Sequence, residues 1–124
     1  MNLMRFKLVT GDEFVANSDI VLRADQIVES VCTGATCVTT FEAGSANSIL
    51  TATFDGDDAA EKLSNATKFQ KELLKIATLA ANHNQAGTID FFPAGETIDE
   101  FGARLGIVHT SGGAGEGLIS IVLT

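Results

Sequence analysis

The sequence predicts an α+β fold: an antiparallel β-sheet packed against one long amphipathic helix, with a short second helix and a closing C-terminal hairpin. Three features predict it. Asp58 to Asn82 carries apolar residues at helical spacing over six turns or more. Segments that alternate, or are rich in β-branched residues, flank that run on both sides. No linker-like stretch or internal repeat divides the 124 residues, so 1–124 reads as a single domain, long enough to bury a core without staples.

Taken in order, Met4, Phe6 and Leu8 alternate with Arg5 and Lys7, the period of a strand buried on one face. Gly11-Asp12-Glu13 is a turn, Phe14-Val15 resumes an extended segment, and Ile20-Val21-Leu22 is a strand broken at Ala24-Asp25-Gln26. Ile27 to Cys32 and Cys37 to Phe41 form a hairpin, with Gly34 at the position that needs positive φ. Ala43 to Ser48 is a small-residue loop, and Ile49 to Phe54 a third antiparallel strand leading into the helix.

Asp58 caps the helix, with Glu61 at the spacing that reaches back. Leu63, Ala66, Phe69, Leu73, Leu74, Ile76, Ala77, Ala80 and Ala81 fall on one arc, and Glu61, Lys68, Lys71, Glu72 and Lys75 opposite. Burying the large apolar side chains of that arc is worth about 10 kcal/mol gross, far more than intrinsic helix propensity. Thr88 to Phe92 is a strand ended by Pro93. Thr97-Ile98-Asp99-Glu100 repeats the cap signature for a short helix ending at Gly106. Ile107-Val108-His109 and Leu118 to Leu123 would pair across a glycine-rich loop as the closing hairpin.

Composition narrows the function classes. Hydrophobic residues make up 45% and charged residues 19%, a globular balance. No apolar run follows the basic residues of the N-terminus and none approaches a membrane span, so neither signal-peptide secretion nor membrane insertion is expected. Sixteen acids against eight bases give a net charge of −8, which argues against nucleic acid as partner. Lys68, Lys71 and Lys75 read as a solvated helix face partly paired with Glu72. An acidic DNA mimic is disfavoured because the acids are spread evenly along the chain.

Several residues invite chemistry. Across a two-residue Gly34-Ala35 turn, Cys32 faces Cys37, close enough for a disulfide; the same pair also reads as two small buried hydrophobes in a reducing compartment. A zinc site lacks its spacing, since His83 and His109 stand in no ligand pattern. Asp55-Gly56-Asp57-Asp58 with Glu61 resembles a calcium loop, but Ala66 stands where a bidentate Glu is required; acids at a helix N-terminus explain the run.

Ser111-Gly112-Gly113-Ala114-Gly115-Glu116-Gly117 lacks the strand–loop–helix context of a phosphate cradle and reads as a hairpin tip available for contacts. His109 with Ser111 and Asp90 or Asp99 could be drawn as a triad, yet no nucleophile elbow or oxyanion signature accompanies it. No catalytic, cofactor-binding or metal-binding residue is therefore assigned.

Arg5-Phe6-Lys7-Leu8-Val9, Ala24-Asp25-Gln26-Ile27-Val28, Thr33-Gly34-Ala35-Thr36, Thr51-Ala52-Thr53-Phe54-Asp55 and Asp57-Asp58-Ala59-Ala60 occur in an order that resembles small virion structural proteins of marine tailed bacteriophages. The likeness covers roughly the first two-thirds of the chain. It implies a virion-associated or assembly role, in the virion or host cytoplasm, and carries over no catalytic residues.

The expected function is thus a non-enzymatic, self-associating structural protein. It would be a homo-oligomer pairing through apolar strand edges such as Phe6 to Val9 or Leu118 to Leu123, with other virion proteins as further partners. The alternative is a small-ligand-binding or enzymatic domain with an apolar pocket between sheet and helix, lined by Phe54, Phe69, Phe91, Phe92 and Phe101.

Overall fold

A computed structural model describes residues 3–11, 13–44, 46–82, 88–112 and 117–124. Two sheets and two helices follow one another as β1 (Leu3–Phe6), β2 (Val9–Thr10), β3 (Glu13–Phe14), β4 (Ile20–Arg23), β5 (Ile27–Thr33), β6 (Thr36–Ala43), β7 (Ala46–Phe54), α1 (Ala59–Asn82), β8 (Thr88–Asp90), α2 (Ile98–Leu105) and β9 (Leu118–Leu123). The larger sheet runs β3-β2-β9-β7-β6-β5, antiparallel throughout, and the smaller runs β4-β1-β8. The class is α+β, as the sequence predicts. One departure is that β1 and β8 pair in parallel.

Strands β5, β6 and β7 form the expected meander into the helix. Gly34 takes a φ of +57° while Ala35 stays negative, the pattern of a type II′ turn. Thr33 then faces Thr36 and Cys32 faces Cys37. The loop expected over 43–48 is shorter than its small residues imply, because β6 continues to Ala43 and β7 begins at Ala46.

Asp58 Oδ1 accepts from the Glu61 N–H at 2.8 Å, but Glu61 Oε1 reaches back to the N–H of Asp57, one residue earlier than a strict capping box. Gly56 permits this tight entry, since a Cβ there would stand 3.0 Å from Glu61 Cβ and the Lys62 nitrogen. α2 carries the full box, Thr97 with Glu100, and ends at Gly106 with a φ of +76°.

α1 lies across β5, β6 and β7 and also touches β1, β8 and α2. Ala66, Phe69, Leu73, Ala77 and Ala80 are buried on that side. The predicted arc was too broad. Leu63 and Leu74 are 43% and 42% exposed, because at about 100° per residue they fall on the flank where the helix surface has turned away from the sheet. The deep contact comes instead from aromatic rings gathered around Phe91, which packs on Phe6 (4.9 Å between centroids), Phe69 (5.3 Å), Phe92 (5.3 Å) and Phe101 (5.7 Å).

The C-terminal strand forms, but the closing hairpin does not. β9 pairs with β7 from Leu118 to Leu123 and with β2 at Val9, whereas residues 107–109 are not a strand. Asn65, buried on α1, takes up the main chain of Val108 instead: its Nδ2 donates to Val108 O (2.7 Å) and Asp55 O (2.9 Å), and its Oδ1 accepts from Val108 N–H (2.9 Å). A strand partner for Val108 is supplied by a side chain.

Candidate functional site

The larger sheet has two unlike faces. The helix-side face alternates down each strand and is dense with buried groups, among them Cys37, Thr39, Phe41, Leu50, Ala52 and Ile121. The opposite face is crossed by rows that follow the register. Val31 sits beside Val38, Val38 beside Thr51, and Thr51 beside Val122. Thr33, Thr36, Thr53 and Ser120 form the next row, and Glu29, Thr40 and Ile49 the one on the other side.

Within these three rows Glu29 alone is charged, and Glu42 faces Asn47 in the row beyond, on a chain of net charge −8. Val31 and Val122 are 43% and 39% exposed. Neither helix covers this side. The result is a valine–threonine plate, with β-branched residues favoured by the pleat and hydroxyls standing in for charge.

Strand order decides which edges are open. Phe6 to Val9 and Leu118 to Leu123, expected at the rims, lie inside: β1 runs between β4 and β8, and β9 between β2 and β7. The long terminal strand of the larger sheet is β5. By the alternation of an antiparallel ladder, Ser30 and Cys32 direct their main-chain groups outward from it. α1 covers part of this rim, since Gln70 Nε2 donates to Ser30 O at 2.8 Å. A bulge between Ile27 and Glu29 also twists its start.

The polar candidates gather at the start of α1. His109 Nε2 stands 3.6 Å from Asp57 Oδ1 and 3.8 Å from Asp55 Oδ2, so its carboxylate neighbours are these and not Asp90 or Asp99. Asp90 pairs with Arg5, and Asp99 sits in the first turn of α2. Ser111 Oγ donates to Asp57 Oδ1 at 2.7 Å.

Glu61 Oε2 accepts from Thr110 Oγ1 at 2.7 Å, and Oε1 from the Thr110 N–H at 3.0 Å. The Thr110 hydroxyl first, and then its N–H, hold the Glu61 carboxyl below the usual range. These acids thus anchor segment 107–111 to the helix start. Among the described residues no group of three or more His, Cys, Asp or Glu converges as a metal site would require.

Of the remaining candidates, Cys32 and Cys37 are free thiols, Cys37 buried and Cys32 partly so. His83 and Gly113 to Glu116 lie outside the described residues. Gly117, the end of that loop, is held close: an added Cβ would stand 2.4 Å from Ile107 Cγ2. Lys68, Lys71 and Lys75 line a shallow depression of ≈ 340 Å³ with Glu72 and Arg104. Glu72 is paired there with Arg104 at 3.1 Å rather than with a lysine, and Lys68 Nζ donates to Gly106 O at the end of α2.

Phe54, Phe69, Phe91, Phe92 and Phe101, expected to line a pocket, are at most 3% exposed and touch ring to ring, with Phe54 and Phe69 5.5 Å and Phe92 and Phe101 4.5 Å between centroids. Asn65 was legible as a polar residue on an otherwise apolar arc, but not as the partner of Val108. Among the described residues no helix is long and apolar enough to cross a membrane. No protein-family model, characterised protein or solved structure matches the chain.

Proposed function

We propose that this protein is a non-enzymatic, self-associating structural or assembly protein, virion-associated as the resemblance of its first two-thirds implies. Copies meet through the valine–threonine plate, with the rim of β5 as its border. One observation carries this reading: a broad, ordered sheet face whose three central rows hold Glu29 as their sole charge, with Glu42 in the row beyond, on a chain of net charge −8.

Burying charge is the main obstacle to joining two acidic molecules, and protein interfaces are depleted in charge at their centres. A second copy brings an identical face with Glu29 as the one charge in these three rows, so two plates can meet with most of the acids directed elsewhere, in a self-complementary contact. The ring-to-ring packing between sheet and α1 supports this reading over a ligand pocket there, because the volume is already filled.

Light scattering on wild type, Val38→Lys and Thr51→Lys tests it. Wild type is expected to exceed the monomer mass at concentrations where both variants remain single. Each lysine would place an unpaired charge at the centre of the plate without touching the buried face. A wild-type protein that stays single throughout, or variants that associate as wild type does, would overturn the proposal.

A further inference from the structure

We propose that Cys32 and Cys37 are a built-in modification site, which closes to a reversible intramolecular disulfide across the β5–β6 hairpin. Register places the two residues directly opposite each other, one step in from the Thr33–Thr36 pair that closes the turn. In a hairpin with a two-residue loop the closing pair is the hydrogen-bonded one. The cysteines therefore occupy the adjacent non-hydrogen-bonded pair, where Cα atoms stand about 4.5 Å apart. That separation lies at the short end of the span a disulfide bridges, about 4.4–6.8 Å.

Both side chains point to the helix side of the sheet. Cys37 is fully buried, and Cys32 Sγ donates to the Ala66 carbonyl at 3.4 Å. Cys37 Sγ makes long contacts, to Ser30 Oγ at 3.7 Å and Thr39 Oγ1 at 4.0 Å. Closing the bridge costs these weak contacts and requires no change of strand register, because the two residues already face each other.

The step is a two-electron oxidation and needs an oxidant, here a low-molecular-weight disulfide. Cys32, the more accessible thiol, loses its proton to solvent and attacks one sulfur of the small disulfide, expelling one small thiolate. Cys37 loses its proton and attacks Cys32 Sγ, expelling the second. Two cysteine thiols are oxidised to one cystine, and one small disulfide is reduced to two thiols.

Burial foremost, and then the adjacent Cys37 thiol, pushes the Cys32 thiol up to about 12. The attacking thiolate is therefore scarce at neutral pH, and the bridge closes slowly, as a lock and not as a fast sensor. It would tie the terminal strand β5 to β6 beneath α1, whether or not the sheet's other face associates.

The test is incubation of the full folded chain with excess glutathione disulfide at pH 8, sampled over hours, quenched in acid, alkylated and weighed intact. The expected product is a monomer two hydrogens lighter, bearing neither alkyl group nor glutathione, and returned to two alkylatable thiols by dithiothreitol. Its thermal midpoint rises by on the order of 5 °C. Cys37→Ser should stop at a single glutathione adduct on Cys32. Wild type that accumulates glutathione adducts without bridging, bridges only between molecules, or bridges only when unfolded in urea would overturn the proposal, whatever the variant does.

Discussion

Asn65 shows how much of this fold can depend on one polar side chain. It satisfies both main-chain groups of Val108 and the carbonyl of Asp55, all from a fully buried position. Removing it leaves part-buried main-chain donors and acceptors without this partner, at up to about 1–3 kcal/mol for each group left unsatisfied. Asn65→Ala should therefore lower unfolding stability by roughly 2–4 kcal/mol in a urea titration. A loss under about 0.5 kcal/mol, the size of an ordinary surface change, would contradict its role.

Nearby Glu61 sets a pH dependence. Its carboxyl is held below its ordinary value of 4.5 in the fold, so the folded state binds a proton there less readily than the unfolded chain. The stability this contributes is present above about pH 4.5 and is lost as pH falls through the lower folded value. Urea midpoints of wild type and Glu61→Gln should accordingly converge on acidification below pH 4.5, and parallel curves would contradict the assignment. Neither role is readable from local pattern alone, because the partners Val108 and Thr110 lie more than forty residues away in the chain.

At the scale of elements, the sequence carried the periodicities and the punctuation. Asp58 and Thr97 start the helices, and Gly34 and Gly106 adopt the positive φ their positions call for, while β8 stops at Asp90, short of the Phe92 expected before Pro93. What it did not carry was how wide the buried stripe of α1 is, since a count of apolar residues cannot see where the sheet's surface ends. Phe69, at 1% exposure within the ring cluster, should cost about 3–5 kcal/mol as Phe69→Ala. Leu74→Ser, on the exposed flank, should change stability by less than about 1 kcal/mol. Chemical denaturation of both variants decides whether the narrow or the broad stripe is correct; equal losses would restore the broad one.

For the whole molecule, strand order was the least legible feature. Leu118 to Leu123 looks like a rim because it ends an apolar run, yet β9 enters between β2 and β7 and makes the larger sheet continuous. The chain position of a strand does not reveal its spatial neighbours, and a side-chain partner such as Asn65 can release a segment from the hairpin its sequence implies. The plate was invisible for the same reason: Val31, Val38, Thr51 and Val122 are scattered in sequence and become one row through the register of four strands.

That row is also where the proposed self-association is most directly tested. Methyl spectra of the full chain, recorded across a hundredfold concentration range, should show Val31, Val38 and Val122 shifting or broadening together, while exposed Leu63 and Leu74 on α1 stay fixed. Concentration-independent spectra, or changes confined to the leucines of α1, would contradict the plate as the surface through which copies of this protein meet.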